Sequence, residues 1–161
     1  MTLLVEIPVR LPPCPSRVVA TRSLLALTLT MGLASVSHAA KPAFTGPDLS
    51  GVYACEGQDD HEGAYQGTVT LQLVPAQSFG PYGAYLFKLE VPGYGAYPGE
   101  AAARGTEMAI HFALTDPSTK DHGTGIASFT KNAQGKWTFF KYYHEPEFKG
   151  GNFGTERCVQ R

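Results

Sequence analysis

The sequence predicts an all-β fold, a small antiparallel up-and-down β-barrel of about eight strands, and three observations carry that prediction. Short runs in which apolar and polar side chains alternate recur along residues 49–160, as half-buried strands require. Clusters of Gly, Pro, Asn and Asp separate these runs every 10–14 residues, a spacing that suits an antiparallel meander. Cys55 and Cys158 stand in the first and last runs, so a disulfide between them brings the two ends of the sheet together. A β-sandwich is the second architecture that tolerates short strands, but pairing of the terminal strands favours closure.

The first strand spans Leu49 to Glu56 and holds Cys55. In the second, Tyr65, Gly67, Val69, Leu71 and Leu73 alternate with Gln66, Thr68, Thr70 and Gln72, the clearest two-residue period in the chain. Tyr85, Phe87, Leu89 and Val91 mark the third. Tyr94 to Arg104 contains Pro98 and predicts an irregular fourth strand, with Ala101-Ala102-Ala103 as a possible helical turn. Met108, Ile110, Phe112 and Leu114 mark the fifth strand and put His111 on its outward face; Gly125, Ala127 and Phe129 mark the sixth. The seventh, Trp137 to Tyr143, is bulky on both faces, and the last, Phe153 to Gln160, holds Cys158. Val69, Leu71, Leu89, Ile110, Phe112 and Phe129 are the large side chains expected to fill the interior. Glycines within the strands suit the bends that closure needs.

Composition agrees. Eighteen Gly and twelve Pro argue against a helical bundle, and eighteen aromatics (nine Phe, eight Tyr, one Trp) argue against a disordered chain. A net charge of -1 supplies no basic field for nucleic acid. Residues 17–39 read as a secretory signal: Arg17 and Arg22, an uncharged stretch from Leu24 to Val36, then Ser37-His38-Ala39 as a cleavage site after Ala39, with Ala40 as the alternative. Residues 1–16, rich in Pro, form an extension ahead of it, or translation starts later than Met1. Cys14 precedes the apolar stretch and so is not a lipidation site. The expected organisation is a cleaved leader over 1–39 and a single domain over 40–161, periplasmic or secreted, monomeric and without a membrane span. Removing Arg10, Arg17, Arg22 and Glu6 leaves ten positive and thirteen negative residues, a net charge of -3. Only Cys55 and Cys158 then remain, and two cysteines in an exported chain should pair.

Three groups of residues draw a functional reading. Tyr82-Gly83-Ala84-Tyr85 recurs as Tyr94-Gly95-Ala96-Tyr97 twelve residues later. The plain reading is an aromatic covering bare glycine backbone in a sheet. The functional one is a tyrosine-lined barrel mouth, with Tyr82, Tyr85, Tyr94 and Tyr97 at one end stacking a ligand. The second group is His144, Glu145, Glu147, Lys149 and Asn152, joining strands seven and eight; it reads either as a charged hairpin that keeps the rim in water or as a binding loop. Asp59-Asp60-His61-Glu62 is the third. Neighbouring loop positions do not all converge on one ion and the calcium-loop spacing is absent, so it reads as a solvated acidic loop, with no metal or other cofactor implied. No zinc, nucleophile-elbow or phosphate-loop motif is present in the sequence.

With Leu49-Ser50-Gly51-Val52-Tyr53 opening the first strand, the layout resembles small exported barrels of the avidin and lipocalin type, which implies ligand binding by analogy of fold. Tyr53 stands where the lipocalin opening has Trp, and Trp137 alone does not supply the several Trp of an avidin-like site. Tyr53-Ala54-Cys55-Glu56-Gly57 is similar to the opening of periplasmic inhibitors of c-type lysozyme, but their later Ser-Gly-x-x-Tyr motif has no counterpart. The expected function is therefore an exported, non-enzymatic barrel that binds a small ligand or another exported protein through its rim loops. The alternatives are an inhibitor of the lysozyme-inhibitor kind and, less favoured, a hydrolase using Glu145 and Glu147 as a carboxyl pair.

Overall fold

The computed structural model describes residues 40–161. The extension and signal expected over 1–39, and the cleavage site after Ala39, lie outside the described residues. Eight antiparallel strands follow one another: β1 (Gly51–Asp59), β2 (Gly63–Leu73), β3 (Tyr82–Val91), β4 (Gly95–Arg104), β5 (Glu107–Ala113), β6 (His122–Lys131), β7 (Trp137–Glu145) and β8 (Asn152–Gln160). Each pairs with the next and β8 pairs with β1, so the sheet closes into the predicted up-and-down barrel and not a sandwich. Closure gives both terminal strands a neighbour on each side. Among the described residues, no helix is long and apolar enough to cross a membrane.

The fourth strand is more regular than its proline suggested. The β4–β5 ladder begins only at Gly99, so Pro98 sits where β3 is its one paired neighbour and its missing N–H breaks no ladder on the other side. Ala101-Ala102-Ala103 is strand and not a helical turn; Ala101 and Ala103 face inward opposite Ile110 and Met108.

Cys55 and Cys158 are direct partners across the β1–β8 seam, with Cα atoms 4.1 Å apart, and their disulfide lies inside the barrel. Strand side chains alternate between faces, so the phase set by these two cysteines carries Tyr53, Gly57 and Asp59 inward on β1 and Asn152, Gly154 and Glu156 inward on β8.

The interior has two halves. The base, where β1 starts and β8 ends, is filled. Tyr53 meets Phe139 and Phe129 edge-on at ring distances of 5.2 and 6.2 Å, and Phe129 lies against Phe139 at 4.8 Å. Segment 43–50 folds across this end, held to Gly80 by backbone hydrogen bonds, and places Leu49 fully buried as a stopper. Two buried phenols are satisfied by that segment: Tyr53 donates to the Leu49 carbonyl (2.7 Å) and Tyr85 to the Pro47 carbonyl (3.1 Å). The six large interior side chains read from the sequence are all buried, each burial contributing about 1.5–3 kcal/mol. The other half is polar, and it opens at the mouth.

Candidate functional site

The mouth is built from four connections, residues 60–62, 92–94, 114–121 and 146–151. Side chains tie them together. Asp59, the last residue of β1, accepts backbone N–H groups from His61 and Glu62 at 2.9 Å each, which turns the first loop. Lys149 pairs with Glu62, Tyr94 donates to Glu62 at 3.3 Å, and a ring nitrogen of His61 meets the Gly151 carbonyl at 3.0 Å. Glu147 reaches Lys120 at 3.4 Å and His122 at 3.6 Å. Every loop of this rim is thus linked to another through a carboxylate or its neighbour.

Inside this rim lies a cavity of about 50 Å³, room for a few atoms beyond water size. Leu89, Val91, Phe112 and Phe148 supply its apolar wall, and Asp59, Asp121, Glu145 and Tyr97 its polar one. At its floor Lys141 and Glu156 form an ion pair at 2.7 Å with both side chains almost wholly buried. The Lys141 ammonium sits 5.1–5.2 Å from the ring centres of Phe87, Phe112 and Tyr143, and Tyr65 donates to Glu156 at 2.5 Å. Two glycines make room for these phenols: a Cβ at Gly57 would run into the Tyr65 ring, and one at Gly154 into the Tyr143 hydroxyl.

The acids differ in state because their partners differ. Burial by itself raises Asp59, but the N–H groups of Glu62 and His61, the Tyr143 hydroxyl (2.7 Å) and the Asn152 amide (2.8 Å) outweigh it and hold the group below its ordinary value. Glu145 is pushed up to about 7, first by burial and then by the charges of Asp121 and Asp59, against one hydrogen bond from Asn152. Asp121 is also raised by burial, although Tyr97 donates to it at 2.9 Å. Asp121 and Glu145 meet as a hydrogen-bonded carboxyl pair, so the two share a proton and titrate together. Burial drives Tyr65, Tyr97 and Tyr143 far above the usual phenol range, aided by the carboxylates beside them.

The residues singled out from the sequence are partly gathered here. Tyr94 and Tyr97 belong to the mouth, Tyr94 half exposed at its lip and Tyr97 inside. Tyr82 and Tyr85 are at the base, so the four tyrosines do not share one end. An even number of strand crossings separates like ends of a meander, and β3 and β4 run in opposite directions, which sends the two copies of the repeat apart. Tyr85 lies over Gly83, as the plain reading had it, whereas Gly95 is faced by Leu114. Glu145 and Asn152 point into the barrel, while His144 points outward. Glu147 and Lys149 are on the exposed loop, so Glu145 and Glu147 do not face each other across a cleft. Asp59 is buried and not part of a solvated loop. Lys141, Glu156 and Tyr143 carry no functional reading in the sequence, yet with Asp121 and Tyr65 they form most of the polar interior.

Cys55, Glu156 and Cys158 place three potential metal-ligand atoms within 4.8 Å of one another, but both sulfurs are committed to the disulfide. No protein-family model matches the sequence, and a search of curated proteins returns no match.

Proposed function

We propose that this chain is an exported, non-enzymatic barrel that binds a small ligand in the cavity at its mouth. The observation that carries the reading is the contrast between the two ends: a base stopped by Leu49 and packed with aromatics, and a mouth whose cavity joins an apolar wall to a few convergent polar groups, the usual make-up of a ligand site. The disulfide supports export, because such bridges persist in oxidising compartments. A hydrolase gains little support, since Glu145 is inside the barrel and Glu147 is held on the rim by Lys120 and His122. Binding in the cavity is tested by recording amide NMR spectra of the oxidised chain with a set of small neutral, anionic and cationic compounds. Saturable shifts clustered on Leu89, Tyr97, Phe112 and Tyr143 are expected. Shifts scattered over the outer wall, or none with any compound, would overturn the reading and turn attention to protein partners of the 144–152 loop.

A further inference from the structure

Away from the mouth, the outer wall over β3 to β6 carries a face that the barrel leaves uncovered. Alternation and register set its outward side chains in rows. The middle row is Ala84, Ala102, Ala109 and Ile126, with no charge in it. On the mouth side stand Leu86, Glu100, His111 and Thr124, and on the base side Tyr82, Arg104, Glu107 and Ser128. Ile126 is 66% exposed, more than any other large apolar side chain among the described residues, and Leu86 and Tyr82 are about half exposed. Single exposed apolar side chains are ordinary, but these three belong to one patch. An open groove crosses the patch, passing from Leu86 over Ala102 and Ala109 to Ile126. A barrel wall is convex. Alanines on the two central strands let another surface approach the backbone there, while Leu86 and Ile126 rise on the flanks.

The charges select the occupant. Among the described residues, Glu100, Arg104, Glu107 and His111 have no ion-pair partner, although Arg104 stands opposite Glu107 and Glu100 opposite His111 across the β4–β5 ladder. Glu107 accepts the Ser128 hydroxyl at 2.8 Å. A two-fold axis parallel to the strands, between β4 and β5, exchanges these strands in a facing copy. It sets Arg104 against Glu107 of the second copy and Glu100 against His111 of the second copy, and each contact occurs twice. The same operation sets Ile126 over Ala84 of the second copy, large against small, and Ala102 against Ala109. The face is therefore complementary to itself in both charge and shape.

We infer that this face joins two copies of the chain in a weak two-fold dimer. Four strands and three rows cover about 19 Å by 20 Å, roughly 800 Å² over two copies, so the expected Kd is on the order of 100 µM. The apolar centre supplies the attraction, and the four charged contacts at its ends fix the orientation. The inference is independent of the ligand reading, because the connections that build the mouth lie beyond this face.

The test is sedimentation equilibrium of the oxidised chain from about 5 µM to 1 mM. Wild type should dimerise reversibly over this range. Ile126→Ser should weaken the dimer at least about tenfold, whereas Val52→Ser, at an exposed apolar position outside the face, should not. Arg104→Glu and Glu107→Arg each bring like charges together across the axis and should each weaken it at least about tenfold. Mixing these two variants in equal amounts pairs opposite charges again between copies, so the mixed dimer should return to within about threefold of wild type. That recovery also shows that both variants are folded, and a charge effect confined to one chain does not produce it. A wild type that stays monomeric at the highest concentration would overturn the inference and leave the face to a different protein or to none. A dimer indifferent to Ile126→Ser, or equally weakened by Val52→Ser, would overturn it as well. So would a mixture that associates no better than either charge variant alone.

Discussion

Replacing Lys141 with methionine removes an ammonium that stands 2.7 Å from Glu156 where water does not reach. At that distance, with an effective dielectric of about 20, the attraction is roughly 6 kcal/mol, and each ion cost several kcal/mol to desolvate, so the intact pair is near balance. Taking out one member is different. Glu156 keeps only the Tyr65 hydroxyl as a partner and stays buried, which should cost about 3–5 kcal/mol. Against a typical stability of about 5–15 kcal/mol that is a large share, and the melting midpoint should fall by roughly 10–25 °C. Lys141→Met/Glu156→Leu removes both charges and keeps apolar volume, so it should recover to within about 1 kcal/mol of wild type. Urea unfolding of oxidised wild type, Lys141→Met, Glu156→Leu and the double variant, with unchanged m-values, completes the double-mutant cycle. A Lys141→Met protein within about 1 kcal/mol of wild type, or a double variant that loses the sum of the single losses, would refute the buried-pair account.

Three further outcomes follow from the same contacts. Cys55→Ser/Cys158→Ser opens a loop with a sequence separation of 103 and should lose up to roughly 4–5 kcal/mol in urea unfolding, with reduction of wild type giving a similar loss. Folding raises the proton affinity of Glu145 above its ordinary value of 4.5, so between that pH and about 7 the native state holds more protons than the unfolded one and stability falls as pH rises. Glu145→Gln lacks this slope and can still accept from Asn152; its advantage over wild type should grow to on the order of 2–3 kcal/mol by pH 8, read from melts across pH. Gly57→Ala drives a methyl into the Tyr65 ring and should cost about 1–3 kcal/mol, with loss of the Tyr65 contact to Glu156 visible in tyrosine NMR signals.

Much of the polar interior had a sequence signal in the cysteines. If Cys158 points inward, so must Glu156, Gly154 and Asn152, and the same phase takes Cys55 to Gly57 and Asp59. Acids in a short run with His are usually solvent-exposed, but at Asp59 the two-residue phase outranks that composition cue. Strand β7 carried no such signal by itself. Phe139 and Tyr143 on one face and Phe140 and Tyr142 on the other are equally bulky, and the lone Lys141 would ordinarily turn its face outward. Only the register Phe139↔Cys158, Lys141↔Glu156 settles it, because it gives the ammonium a carboxylate inside the wall.

The sequence by itself determined the class of fold, the strand count, the turns between strands and the pairing of Cys55 with Cys158. These depend on local alternation, turn chemistry and the small number of cysteines. Which tyrosines share an end, which of His144 and Glu145 faces the cavity, and which acids keep a proton were decided by closure of the barrel. They depend on distances between strands far apart in the chain, and on how completely water is removed around Asp121, Glu145, Lys141 and Glu156. Alternation fixes relative facing along one strand, but the electrostatics of an interior arise only when eight such faces meet.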